Sequence, residues 1–247
     1  MATRDEVLRE LGLAPVWRLR RSPWKAPAPL TARQDDAPPA RVATDDSPGS
    51  DAAARRARIA ALAFDALVDD IASCRACALC ATRNRTVPGA GAAGAHWMFV
   101  GEAPGADEDA QGEPFVGAAG QLLDNMLAAL GLARGGVFIA NVLKCRPPGN
   151  RTPEPLEVAA CRPYLDRQIE LVGPSLIVAL GKSAACALLD IEASVASLRH
   201  RVHRYRGTPL VVTYHPAYLL RTPLDKARAW DDLLFARRTL RELASGA

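Results

Sequence analysis

Six cysteines occur in the 247 residues, and four of them have a spacing that suits metal binding. Cys74 and Cys77 form a C-x2-C pair, while Cys145 and Cys161 follow much later with 15 residues between them. Only the fold can bring such thiols together. Joined, they make a tetrathiolate site for which a [4Fe-4S] cluster and a structural zinc are the two candidates. Structural zinc usually draws on two close pairs, and here the second pair is loose. The plain alternative is that Cys145 and Cys161 are ordinary buried thiols, and spacing alone leaves these readings open. Cys80 and Cys186 are read as spectators.

Three further segments carry residue types that do chemistry. GEAPGADEDAQGEPFVGAAG (101–120) is a glycine-rich, acidic loop that starts with Glu102 and holds the aromatic Phe115. Its glycines would let backbone approach a flat ligand closely, whereas Asp107 and Asp109 taken singly read as a solvated turn. NVLKCRPPGNRTPEP (141–155) offers the amide of Asn141, whose paired donor and acceptor match a base edge. The cations Lys144, Arg146 and Arg151 suit phosphates or open solvent. HPAYLLR (215–221) brings His215, one of only four histidines, and ends on Arg221. The basic stretch SLRHRVHRYRG (197–207), which includes Arg201, suits a DNA backbone or an exposed edge strand. Two other patterns are discounted. GAGAAG (89–94) precedes a strand instead of following one, and the GKS at 181–183 has Leu176 where a phosphate loop needs glycine.

The elements that must position these residues follow from hydrophobic periodicity. Four short apolar runs, at 96–101, 137–142, 176–181 and 210–214, read as strands buried on both faces. Helical stripes lie between most of them, at 121–130 and 154–171 among others. The expected fold is a three-layer α/β architecture with a central four-stranded parallel sheet and helices on both faces. Its ligand crevice should lie beyond the C-terminal strand ends, where Glu102, Asn141 and His215 stand. One helix is expected to run from about Asp51 into Cys74. Residues 1–55 read as an arm, with a short helix at 4–13 and a Pro- and Ala-rich linker at 23–50, ahead of a domain at 56–247. The net charge of +4 is compatible with nucleic acid without demanding it. No long apolar run suggests a secretory signal or membrane span, so a cytoplasmic location with reduced thiols is expected.

GEAPG with EDAQGEPFVG, then NVLKCRPPGNRTP, LGKSAA and HPAYLLR, inside a four-cysteine frame, resembles the family 4 uracil-DNA glycosylases that carry a [4Fe-4S] cluster. The likeness runs from about Ala72 to Leu240. It implies a monofunctional enzyme that flips deoxyuridine out of DNA and hydrolyses its N-glycosidic bond. It also implies Cys74, Cys77, Cys145 and Cys161 as cluster ligands, and a base held by Gly101, Glu102 and Ala103. Phe115 would stack on that base, Asn141 would read its edge, and His215 would stand beside O2. The best-known uracil glycosylases have a water-positioning aspartate where this chain has Ala103. Glu102 or Glu108, with Asn150, is the expected substitute. Lys144, Arg146, Arg151, Arg201 and Arg221 are expected to contact DNA. Trp17 and Trp24 sit among cations in the arm, which suits DNA, a protein partner or an unstructured tail. A monomer without membrane contact is expected. A glycosylase of broader base range, a nonenzymatic uracil-DNA binder and a polymerase-associated module remain the alternatives.

Overall fold

The computed structural model describes residues 48–245. The expected helix at 4–13, most of the linker and the Trp17 and Trp24 segment lie outside them. The sequence from Asp51 to Cys74 forms two helices instead of the expected one, α1 (Pro48–Ala60) and α2 (Phe64–Ser73). At the break, Ala61 and Leu62 close short turns onto Arg58 and Ile59, and the Leu62 carbonyl accepts a hydrogen bond from Arg167 Nε at 2.8 Å. The turn lets Ile59 of α1 and Leu67 and Ile71 of α2 converge on one aromatic residue, Tyr164. A straight helix could not aim both stripes there. The expected boundary at 55/56 falls inside α1, where Arg55 donates to the Ala160 carbonyl at 2.9 Å and lies over the Tyr164 ring.

The strands are β1 (Ala90–Gly91), β2 (Trp97–Gly101), β3 (Phe138–Asn141), β4 (Leu176–Leu180), β5 (His203–Tyr205) and β6 (Thr208–Thr213). Their order in the sheet is β1-β3-β2-β4-β6-β5. The four expected strands form the parallel centre, with Gly101 opposite Asn141 and Leu180 opposite Thr213. Two short antiparallel strands extend it, so the sheet is mixed and six-stranded. SLRHRVHRYRG thus supplies an edge strand.

Side-chain alternation divides the central strands between two cores. Met98, Val100, Phe138, Ile177 and Val212 face α5 (Pro155–Val172) and α6 (Lys182–Leu189). Trp97, Phe99, Ile139, Val178 and Val211 face α4 (Ala118–Ala129) and α9 (Lys226–Ser245). Helices therefore cover both faces, as expected. Three short helices complete the described fold: α3 (Ala106–Gln111), α7 (Val195–Leu198) and α8 (Pro216–Arg221). No helix among the described residues is long and apolar enough to cross a membrane.

Candidate active site

A cavity of about 390 Å³ opens beyond the C-terminal ends of β2, β3 and β6. Its wall includes Glu102, Ala103, Glu108, Phe115, Asn141, Asn150, Arg151, His215, Tyr218 and Arg221. Glu102 and His215, far apart in sequence, meet there because the three strands end on the same edge of one sheet.

Phe115 is buried, yet its backbone is left-handed at φ 55°. For a bulky residue this is a strained geometry that only its surroundings can enforce. Glu108 supplies part of that enforcement. Its Oε2 accepts the Gly105 N–H at 3.0 Å, and its Oε1 accepts those of Val116 and Gly117 at 2.9 and 3.1 Å. Gly120 supplies another part, since any Cβ there would collide with the Phe115 carbonyl. At the far end of the ring, a Cβ on Gly101 would overlap Asn141 Oδ1 and lie 2.6 Å from Phe115 Cζ. Asp109 is buried, contrary to the solvated turn expected of it. Its carboxylate accepts the Asn84 backbone and side-chain N–H at 2.9 and 2.6 Å.

Asn141 ends β3, and its Oδ1 is buried without a hydrogen-bond partner. Such an orphaned acceptor costs about 1–3 kcal/mol unless a ligand pairs with it. The Asn141 carbonyl is held by Lys144 Nζ at 2.7 Å. Lys144 is 1% exposed, which corrects its expected role as a phosphate contact. Burial lowers the pKa of its amine to about 8, while the Cys161 and Cys145 sulfurs act in the opposite direction.

His215 caps α8, its Nδ1 accepting the Ala217 N–H at 3.1 Å. The proton of the neutral ring is therefore on Nε2. Burial brings the imidazole pKa down to about 4, helped by the Arg221 cation and opposed by the Glu108 carboxylate. The ring centroid lies 5.6 Å from that of Phe115, with the two planes inclined at 29°. Gly181, at φ 88°, leaves room for it, because a Cβ there would come within 2.8 Å of His215 Cβ.

The remaining expected residues divide. Glu102 and Asn150 line the cavity, but Glu108 already serves three backbone donors. Asn150 Oδ1 accepts Arg146 Nε at 2.7 Å. Arg151 also lines the cavity while gripping Glu157 through both terminal nitrogens, at 2.9 and 2.6 Å. Arg221 is exposed at the rim. Arg201 is exposed ahead of β5 and does not line the cavity. Tyr218 and Pro147 also line it, although neither was singled out in sequence. For Tyr218 a signal existed, an aromatic residue about one helical turn after His215.

A second, small cavity is lined by Cys74, Cys77, Cys145 and Cys161, together with Cys80, Ile71 and Tyr164. The cysteines are free thiols, and none of the described His, Cys, Asp and Glu side chains converge in threes on a single-ion point. Three sulfurs receive N–H donors: Cys161 from the Lys144 backbone at 3.3 Å, Cys145 from Arg83 at 3.2 Å and Cys74 from Arg55 at 3.6 Å. Such donors match sulfur atoms that carry negative charge.

A family model described as the uracil DNA glycosylase superfamily matches residues 88–234. A type-4 uracil-DNA glycosylase of Archaeoglobus fulgidus is 48% identical over 168 residues, covering 65% of this chain and 84% of that protein. One from Sulfurisphaera tokodaii is 43% identical over 190 residues, covering 73% and 84%. A type-5 uracil-DNA glycosylase of Pyrobaculum aerophilum is 36% identical over 153 residues, covering 55% and 67%. The family model covers more than half of the chain and these relatives are matched over most of their own length, so the chain belongs to the uracil DNA glycosylase superfamily and, within it, to the type-4 uracil-DNA glycosylases.

Proposed function

We propose that this chain is a monofunctional uracil-DNA glycosylase that hydrolyses the N-glycosidic bond of deoxyuridine and starts base excision repair. The observation that carries this reading is the orphaned, buried Oδ1 of Asn141 in a cavity walled by Phe115 and His215. A uracil flipped into that cavity satisfies it. Its N3–H donates to Oδ1, its O4 accepts from Nδ2, and its ring lies on Phe115. Cytosine has no proton on N3 and an amino group at C4, so it fails both contacts. One unpaired buried group is worth about 10- to 100-fold in discrimination.

Bond cleavage leaves negative charge on the uracil, chiefly at O2. His215 meets it as a neutral donor through Nε2–H, an oxyanion-type contact worth a few kcal/mol. Water then attacks the sugar carbon. With Glu108 occupied, Glu102 is the carboxylate that orients this water, helped by Asn150. Arg146, Arg151, Arg201 and Arg221 approach the DNA backbone, the first two while also supporting the 147–151 loop.

Cys74, Cys77, Cys145 and Cys161 would hold a [4Fe-4S] cluster. The residues fit the group: these four thiols line one cavity, with Cys80 also on its wall, and backbone and guanidinium N–H groups face the sulfurs. When bound, the cluster ties α2 to the loop after β3 and to α5, and excision takes place elsewhere. The protein acts as a monomer in the cytoplasm, where free thiols persist, and its N-terminal arm, residues 1–55, contacts DNA or a protein partner.

The test is to incubate the protein with labelled uracil-containing DNA. Free uracil is released over many turnovers, strands remain uncut without heat or base, and Asn141→Ala lowers kcat/KM at least tenfold. Stoichiometric capture of the DNA without release would refute the enzymatic reading. Full excision by both Glu102→Gln and Asn150→Ala would refute the assignment of the water.

A further inference from the structure

Behind His215 lies an ion pair that the chemistry above does not use. Asp232 of α9 is fully buried, and both its oxygens accept Arg199 Nε at 2.8 Å. Its Oδ2 also accepts the Thr213 hydroxyl at 2.8 Å, and His200 Nε2 stands 3.6 Å from Oδ1. Thr213 is the last residue of β6, two before His215, and its carbonyl accepts the Gly181 N–H at 2.8 Å. Arg199 continues outward, donating to the Arg228 carbonyl at 2.7 Å and lying over the Tyr214 ring at 5.1 Å. Tyr214 stacks on Tyr218 at 5.4 Å, and Tyr218 Oη is tied to Asp225 at 2.6 Å. Tyr218 lines the cavity. One continuous chain of contacts thus runs from the buried carboxylate to the cavity wall, past the backbone that carries His215.

Stability alone does not account for the pair. Removing two charges from water costs about as much as their attraction returns, and well-packed apolar residues would secure α9 to the sheet equally well. Direction is what they could not supply. A carboxylate with fixed donors holds the end of β6 at one height and angle, and a planar guanidinium holds Tyr214 flat beneath it.

We infer that Arg199, Asp232 and Thr213 are positioning residues for His215, aligning its Nε2–H with the oxygen on which charge grows. This rests on the role proposed above for His215. A donor displaced by about 1 Å loses on the order of 100-fold in rate. Loosening one member of the chain of contacts should cost a part of that.

The experiment uses the full-length protein. Arg199→Lys keeps the charge and loses the planar fork, and Thr213→Val is nearly isosteric and removes only the hydroxyl. Each should slow single-turnover excision about tenfold at saturating uracil-DNA while the Kd for that DNA stays within about twofold. In a His215→Ala background neither change should slow excision further, because a positioning residue has nothing left to position. Should Arg199→Lys not fold, Thr213→Val alone decides. Wild-type rates in the folded variants, or slowing that adds in full to that of His215→Ala, would overturn the inference. Full excision by His215→Ala itself would instead overturn the role of the histidine.

Discussion

At the scale of single residues, burial sets the protonation and pairing of the groups in the site. His215 is neutral because burial disfavours its cation. Its folded pKa of about 4 lies below the 6.5 of an unperturbed histidine, so between those values the unfolded chain binds more protons than the folded one. Stability therefore falls as pH drops from 6.5 to 4, and His215→Gln removes that part of the loss. Denaturant titrations at pH 7 and pH 5 measure the difference, and equal losses in both proteins would contradict it. The donor persists at neutrality, so excision should show no histidine-dependent decline between pH 8 and 6. Gly101→Ala places a methyl group against Asn141 Oδ1 and Phe115. It should lower kcat/KM at least 100-fold, read in steady-state excision assays. The fate of Lys144 was not legible in sequence. A charge in a loop reads as surface, and only the tertiary fold turns it inward to the Asn141 carbonyl.

Elements differ in how openly the sequence declares them. The four central strands are apolar on both faces, so they stand out as unbroken hydrophobic runs. By contrast, β1 is Ala90–Gly91, which has no pattern to detect, and it exists because β3 offers it a free edge. The break between α1 and α2 has no Pro or Gly to mark it. Tertiary packing on Tyr164 makes it, through an Arg167 bond formed 105 residues away in sequence. The start of α4 poses a steric limit of its own. Gly120→Ala should destabilise the protein by about 1–3 kcal/mol, because backbone and not a flexible side chain stands in the way of the new Cβ. Thermal unfolding would show this, and an unchanged Tm would mean that the Phe115 turn is softer than its geometry implies.

For the whole molecule, two supports meet at α5. From one side α1 and α2 pack on Tyr164, and from the other the cysteine cavity joins Cys161 to the loop after β3. A chain begun at residue 56, the boundary expected from composition, would lack Arg55 and the first half of α1. It should melt several degrees below a chain begun at residue 48. Equal Tm values would show that the first half of α1 adds nothing. Cys77→Ala should lose both the absorbance near 400 nm and much of the stability of the fold, and a colourless, stable, active variant would refute the cluster. Asp232 and Arg199 stand 33 residues apart, and no periodicity announces their pairing. The cavity loops, by contrast, were readable because chemically versatile residues cluster directly after the apolar strands, and of the cysteines only the Cys74 and Cys77 pair has a spacing that stands out.

The neighbours of Gly101 also bear on how this site can change over generations. A side chain at that position conflicts at once with the amide of Asn141 and the ring of Phe115. Both would have to shift or be replaced, and they are the two residues proposed above to hold the base. On that proposed role, mutational paths to a larger residue at 101 pass through variants with a disturbed uracil site. Selection for repair therefore closes those paths at their first step, and descent can vary the rim of this pocket far more freely than its floor.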